Sequence, residues 1–179
     1  MIYTLRENLR HVRKRPTKNY AYVIFLDFSK AFDKVTRYKM LVKLAKFLSP
    51  IYWRVLDNYY KESSVYVYSE KDGYSENFKT SVGVKQGGKF SPTAFNVNID
   101  SLIQILIESG IVFKINEVVT GILVYADDTT LILETVADAQ IALSLVEKFC
   151  QLEDITINVK KTQWMKLGEP IRYEKDSNG

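Results

Sequence analysis

Residues 125–133 read Tyr125-Ala126-Asp127-Asp128-Thr129-Thr130-Leu131-Ile132-Leu133, or YADDTTLIL. An apolar run over 121–126 stops at two adjacent carboxylates, and a second run follows at 129–134. This pattern predicts a hairpin turning at Asp127-Asp128 with a strand on either side. Charges at the end of a buried strand are costly unless they are paired or hold a metal. A second stretch has the same signature: AYVIFLDF, residues 21–28, is rich in β-branched and aromatic residues and brings Asp27 to its end. If the two acid-bearing strands are neighbours, Asp27 and Asp127 face each other across the sheet. Carboxylates so placed raise each other's pKa unless a divalent cation lies between them. Magnesium suits such a site, since it takes oxygen ligands and enters with substrate phosphates. Two such ions can position an attacking hydroxyl and stabilise a leaving pyrophosphate. Each acid also has an ordinary structural alternative, because Asp-Asp-Thr makes a serviceable turn and a lone acid after a strand often caps a helix.

Periodicity orders the rest of the chain. Residues 1–15 place Ile2, Leu5, Leu9 and Val12 at helical spacing, and Pro16 ends the run. Asp33-Lys34-Val35 opens a second helix, about 33–48, with Met40, Leu41, Leu44, Phe47 and Leu48 on one face and Pro50 as its breaker. IYWRVLDNYY reads as a short third helix. Val65 and Val67 alternating with Tyr66 and Tyr68 predict a hairpin that turns at Lys71-Asp72-Gly73 and returns from about Ser75 to Val84. Gly83, Gly87 and Gly88 bracket a loop before a long helix over 91–109. Ser91 is the expected N-cap of that helix, Pro92 a first-turn residue and Gly110 its stop, with Ile99, Leu102, Ile103, Leu106 and Ile107 as the apolar stripe. Residues 111–116 predict a strand, 137–151 a helix, and ITINV and TQWMKLG two short strands. A polar tail, 169–179, is expected to fray. Hairpins interleaved with returning helices predict an α+β fold, with the Asp127-Asp128 hairpin at the centre of an antiparallel sheet and helices on one face. Neither a GxGxxG nor a GxxxxGK[ST] phosphate loop is present.

Length and composition bound the class. With 179 residues, 46% of them apolar, the chain supports one core, assigned to a single domain over 1–168. The net charge of +4 is concentrated at the start, where Arg6, Arg10, Arg13, Lys14, Arg15 and Lys18 face Glu7 alone. Such a segment suits nucleic-acid contact or a solvated helix end. One cysteine, Cys150, reads as a small core residue, and no disulfide framework is possible, which fits an intracellular compartment. One histidine and one cysteine exclude a zinc site built on their clusters. No run reaches the roughly 20 apolar residues of a membrane helix, so no membrane association is expected, and the N-terminus does not read as a signal peptide.

Four stretches then carry a resemblance. FLDFSKAFDKV at 25–35, GVKQGGKFSPTAFNVNIDSLI at 83–103, YADD at 125–128 and LEDITINVKKTQWM at 152–165 stand in this order. Together they resemble the palm of a reverse transcriptase, in particular the non-LTR (LINE-like) retrotransposon form rather than that of group II intron maturases, retron-type enzymes or telomerase. The resemblance spans about residues 2–168, a palm with adjoining fingers-side elements. It implies an RNA-directed DNA polymerase that extends a primer 3′-hydroxyl on an RNA or DNA template with dNTPs. Two magnesium ions, with manganese as a substitute, would serve the reaction. Carried over by residue, Asp27, Asp127 and Asp128 match the catalytic, metal-binding acids. Lys161 matches the lysine near the leaving pyrophosphate, with Lys160 as the alternative and a plain surface lysine as the structural one. Phe28 supplies backbone near the triphosphate. Phe32 matches the bulky residue under the sugar that excludes a 2′-hydroxyl, although it is otherwise an ordinary core aromatic. Gln86 and Gly87 match the lining of the nucleotide and template pocket. The basic set Arg13, Lys14, Arg15, Lys85 and Lys89 is expected at the template backbone. Gly88 and Lys89 stand where many relatives have cysteine and proline, and Glu153-Asp154 where a Gly-Leu dipeptide is common.

The resemblance begins just before the first palm strand and stops after the fourth motif. The expectation is therefore a partial domain with incomplete fingers, no thumb and no endonuclease, weak or inactive by itself. A eukaryotic element of this kind would place it in nucleus and cytoplasm. The alternatives are a non-catalytic palm relic that binds nucleic acid or a partner protein, and an unrelated α+β domain.

Overall fold

The computed structural model describes residues 2–16, 19–85, 87–125 and 127–168. The expected frayed tail lies outside the described residues, as does Gln86. The first half of the chain forms α1 (Ile2–Arg13), β1 (Ala21–Leu26), α2 (Ala31–Lys34), α3 (Arg37–Leu44), α4 (Pro50–Lys61), β2 (Ser64–Val65), β3 (Tyr68–Ser69), β4 (Gly73–Tyr74) and β5 (Phe78–Lys79). The second forms α5 (Ser91–Glu108), β6 (Lys114–Ile115), β7 (Val118–Val119), β8 (Ile122–Tyr125), β9 (Asp128–Leu133), α6 (Val136–Glu153) and β10 (Gln163–Leu167). Two compact units are distinguished. The first holds the chain up to Asp27, Leu106–Ser144 and the part from Val159 on, and the second holds Phe28–Ile105 and Leu145–Asn158.

The first unit contains an open antiparallel sheet in the order β10-β1-β9-β8. Its inner strands are buried as their sequences demand. Val23 and Ile24 of β1 and the run Thr129–Leu133 of β9 are all shielded. Val12, Ala21, Val23, Phe113, Leu123 and Ile132 form the core, with Leu5, Phe25, Ile115 and Leu167 against it. The acid-bearing hairpin is β8–β9, closed by the pair Tyr125 and Asp128. It does not occupy the centre of the sheet: β8 is an edge, and β1 pairs with the return strand β9 instead of with β8. A continuous apolar strand such as LIL is best buried between two partners, and β9 takes that place.

Helix α1 turns Val12 and a polar residue, Asn8, inward. Asn8 is satisfied there by the Thr120 carbonyl at 2.9 Å and the Thr120 hydroxyl at 2.6 Å. Ile2, expected on the apolar face, is 82% exposed, one turn too early to reach the core. Helix α6 opens with a reciprocal cap. The Asp138 N–H donates to Thr135 Oγ1 at 3.0 Å, and the Thr135 N–H donates to the Asp138 carboxylate at 3.1 Å.

The second unit departs further from expectation. The helix expected over 33–48 is two helices, α2 and α3, interrupted at Val35-Thr36. There the chain turns outward to meet residues 82–84: the Gly83 N–H donates to the Val35 carbonyl at 2.8 Å, and Thr36 bridges Val82. Met40, Leu41 and Leu44 are buried, whereas α3 ends at Leu44 and Phe47 beyond it is exposed. Pro50, expected as the breaker of the preceding helix, is instead the first residue of α4, where its missing N–H costs nothing; α3 has already ended at Leu44. The long hairpin over 63–84 is broken into two short ladders, β2–β5 and β3–β4, almost entirely exposed. Without a face to bury, its alternation cannot sustain long strands. ITINV yields only an isolated bridge, Ile157 to Phe28. On α5, Ile99, Leu102 and Leu106 are buried, but Ile107 faces solvent. Cys150 is buried as expected, and burial pushes its thiol up to about 11, an inert group at neutral pH.

Candidate functional site

The acids belong to the first unit. In the β1–β9 ladder Leu26 opposes Thr129, so one further step of that register places Asp27 level with Asp128. Asp127 lies in the turn that the Tyr125–Asp128 pair closes. The expected opposition of Asp27 and Asp127 across neighbouring strands is thus replaced by alignment of Asp27 with the first residue of the return strand. Asp27 is anchored from the other side as well. Its N–H donates to Thr162 Oγ1 at 3.3 Å, and Thr162 follows directly on Lys161. Lys161 is therefore one residue from a contact to Asp27, in the turn that leads into β10, with its side chain exposed. Thr162 was not identifiable from sequence, since a threonine before a strand has no distinctive signal.

Asp27 and Asp127 are partly exposed and Asp128 is exposed, which leaves them open to a hydrated cation. Among the described residues no group of three or more His, Cys, Asp or Glu side chains is arranged to hold a metal ion. The donors present are hard carboxylate oxygens at one end of the sheet. That fits magnesium, which commonly takes one or two carboxylates and completes its shell with water and substrate phosphate.

The basic N-terminal residues divide. Arg15 is engaged internally, with Glu134 at 2.9 Å and with its guanidinium 4.7 Å from the centre of the Phe113 ring. Arg13 and Lys14 are exposed at the end of α1. Lys14 lines a groove with Arg10, His11, Glu7 and Ile115.

The second unit brings Phe32 to the glycine-rich loop. The Val84 N–H donates to the Phe32 carbonyl at 2.9 Å, one residue before Lys85. The Phe32 ring stacks on Phe95 with centroids 4.9 Å apart, fixing its orientation. Phe28 is buried. Gly87 has φ +78° and open space around its Cα. Lys85 lies over the Tyr59 ring at 4.4 Å, and Lys89 is exposed. Ser91, expected to cap α5, instead donates its hydroxyl to the Lys85 carbonyl and so holds the loop to the start of the helix. Arg37 holds the other side of this segment, with Nε donating to the Gly83 carbonyl at 2.8 Å. Burial lowers its pKa, with the neighbouring tyrosines Tyr60 and Tyr59 acting in the opposite direction. Asp154 has φ +60°, a conformation that glycine favours and aspartate tolerates.

An open antiparallel sheet among helices, with acids at the ends of adjacent strands, defines a palm-type α+β domain. A model of the family described as reverse transcriptase (RNA-dependent DNA polymerase) matches residues 2–174, and the chain belongs to that family. It is 30% identical over 159 residues to the retrovirus-related Pol polyprotein from type-2 retrotransposable element R2DM of Drosophila melanogaster, a match covering 88% of this chain and 14% of the relative. It is 28% identical over 151 residues to the RNA-directed DNA polymerase from mobile element jockey of the same species, covering 80% and 16%. These relatives place it among non-LTR retrotransposon Pol proteins, of whose length it spans about a seventh. In fold it is similar to a telomerase of Candida tropicalis in complex with a fragment of telomeric RNA, at a TM-score of 0.69 and 15% identity, covering 92% of this chain and 28% of that one. Family membership suggests a divalent-metal-dependent chemistry in general. No helix among the described residues is long and apolar enough to cross a membrane.

Proposed function

We propose that this chain is the palm segment of an RNA-directed DNA polymerase and that, by itself, it binds nucleic acid without sustaining nucleotidyl transfer. The observation that carries this is the register that sets Asp27 level with Asp128 beside the hairpin turn bearing Asp127. The last ladder pair before the acids, Leu26 and Thr129, shares a face of the sheet. Asp27 with Asp127 and Asp128 would hold the ions. A bound pair of magnesium ions, or manganese with the same oxygen ligands, supplies charge stabilisation of the attacking and leaving oxygens. Lys161 would neutralise charge on the leaving pyrophosphate. In the second unit, Phe28 backbone, Gln86 and Gly87 would line the nucleotide, and the Phe32 ring would exclude a 2′-hydroxyl. Arg13, Lys14, Lys85 and Lys89 would contact template phosphates without reading sequence. Arg15, engaged with Glu134, would contribute less.

Transfer depends chiefly on holding primer hydroxyl and triphosphate in line. The grip of fingers and thumb on those substrates, and any endonuclease, belongs in this reading to the greater length of the relatives. A wholly non-catalytic role is favoured by one observation, that no three acids converge among the described residues. Primer extension on an RNA template with magnesium and dNTPs decides between these readings. The 179-residue chain is compared with an Asp27→Asn/Asp127→Asn variant, each alone and within a full-length parent. The expected outcome is background extension by both isolated chains and extension by the parent that the double substitution abolishes. Robust extension by the isolated chain overturns its incompleteness, and a parent unaffected by the substitutions overturns the site. Phe32→Ala in the parent is expected to admit GTP while sparing dGTP use. Unchanged discrimination between the two removes Phe32 from the site.

A further inference from the structure

Arg37 carries a charge that the second unit does not neutralise. The residue is 8% exposed, yet its described partners are all neutral. Nε donates to the Gly83 carbonyl, one Nη to the Thr80 carbonyl and the other to Thr80 Oγ1 at 2.9 Å, while the guanidinium lies 5.2 Å from the Tyr60 ring centre. Arginine has five N–H donors, and these bonds use three. A buried cation without an anion is costly, and a guanidinium fork is shaped to take the oxygens of a carboxylate or phosphate.

Arg37 is not sealed in. It lines an open groove of about 380 Å³ with Tyr38, Lys61, Lys79 and Ser81. Three cations line this groove against one carboxylate, Asp57, which is bound to Lys61 at 2.6 Å. The nearest acid bridging to Lys79 is Glu62 at 3.9 Å, and both side chains are strongly exposed, so this pair holds Lys79 weakly. On the rim, Tyr38 is 76% exposed. An open cationic groove with an exposed ring beside it suits a polymer that offers both phosphates and bases better than it suits a small ion.

We propose that this groove is a phosphate-binding site for single-stranded nucleic acid. Lys79, the Ser81 hydroxyl and the remaining N–H edge of Arg37 hold a backbone phosphate, and a base stacks on Tyr38. The proposal rests on the nucleic-acid-binding part of the reading above and on none of the carboxylates. Lys79 and Tyr38 are surface residues whose replacement leaves the fold intact, whereas Arg37 also holds residues 80–83 and is left in place.

The test is fluorescence anisotropy of an end-labelled single-stranded RNA titrated with the 179-residue chain. Lys79→Glu is expected to reduce the slope of log affinity against log salt by about 1. Tyr38→Ala is expected to weaken binding about tenfold. The titration is run without added metal, so its readout does not depend on the carboxylate site. A full-length parent whose extension survives the Asp27→Asn/Asp127→Asn change, beside intact Lys79-dependent RNA binding, therefore overturns only the polymerase site. Unchanged affinity in both Lys79→Glu and Tyr38→Ala overturns the groove, whatever the polymerase result. Weakening by Lys79→Glu alone supports the phosphate contact and overturns the stacking. A parallel titration with inorganic phosphate follows the Arg37 Nε–H resonance. A shift there without RNA binding overturns the nucleic-acid assignment in favour of free phosphate.

Discussion

Gly83 is a position where the chain has little choice. Its φ is +84°, and a Cβ added there would lie 2.9 Å from the Asp33 carbonyl oxygen. Both of its backbone groups are also used, the N–H by Val35 and the carbonyl by Arg37. Gly87 has a similar φ of +78° but open space around it. Gly83→Ala is therefore expected to cost about 2–3 kcal/mol and Gly87→Ala about 1 kcal/mol, read from urea midpoints at constant slope. Equal losses would show that backbone conformation alone matters and that the contact with Asp33 relaxes. In the sequence both glycines punctuate a loop, and the resemblance adds a pocket-lining role for Gly87 only. Their difference depends on what passes overhead, and that neighbour is 50 residues away in the case of Gly83.

At the scale of elements, β10 is both an edge strand and a brace. It pairs with β1 from Ala21–Leu167 to Phe25–Gln163, and Thr162 extends that grip to the Asp27 N–H. Thr162→Val keeps the shape and removes the acceptor. The expected loss is about 1 kcal/mol of stability, with faster hydrogen exchange at the Asp27 amide and weaker extension in a full-length parent. An Asp27 amide that stays as protected as in the wild type would show that the bond does not position the acid. The strands β1, β8 and β9 and helices α5 and α6 were legible because their periodicity is strong and local. The interruption at Val35-Thr36 was not, because a helical pattern runs through it and only the bonds from Gly83 and Val82 break it. The Tyr-rich hairpin failed for the opposite reason, since alternation without a buried face does not make a long strand. The cap of α6 was available in the sequence Thr135-Val136-Ala137-Asp138, with a carboxylate three residues after the threonine.

At the scale of the whole molecule, the apolar surface of β10 and its approach has behavioural consequences. Trp164 is 69% exposed and Met165 also open on β10, which has one partner strand among the described residues, and Val159 is open on the approach to it. Such an edge recruits further chains unless something covers it. Sedimentation velocity is expected to show a weight-average mass that rises with concentration, and Trp164→Lys is expected to suppress the rise. A concentration-independent monomer mass for the unmodified chain would refute this. By itself, the sequence determined that the chain has one aspartate at the end of a buried strand and two at a hairpin turn, because burial and alternation are properties of consecutive residues. The four ordered motifs likewise determined the family. Only the tertiary structure decided that β9, not β8, lies against β1, with Leu26 opposite Thr129 one step before Asp27. Strand order and register arise from pairing between segments more than 100 residues apart, where a one-residue slip would turn every side chain to the other face. The same holds for Arg37: its charge is written in the chain, but that its hydrogen-bond partners among the described residues are neutral appears only where residues 80–83 fold back over it.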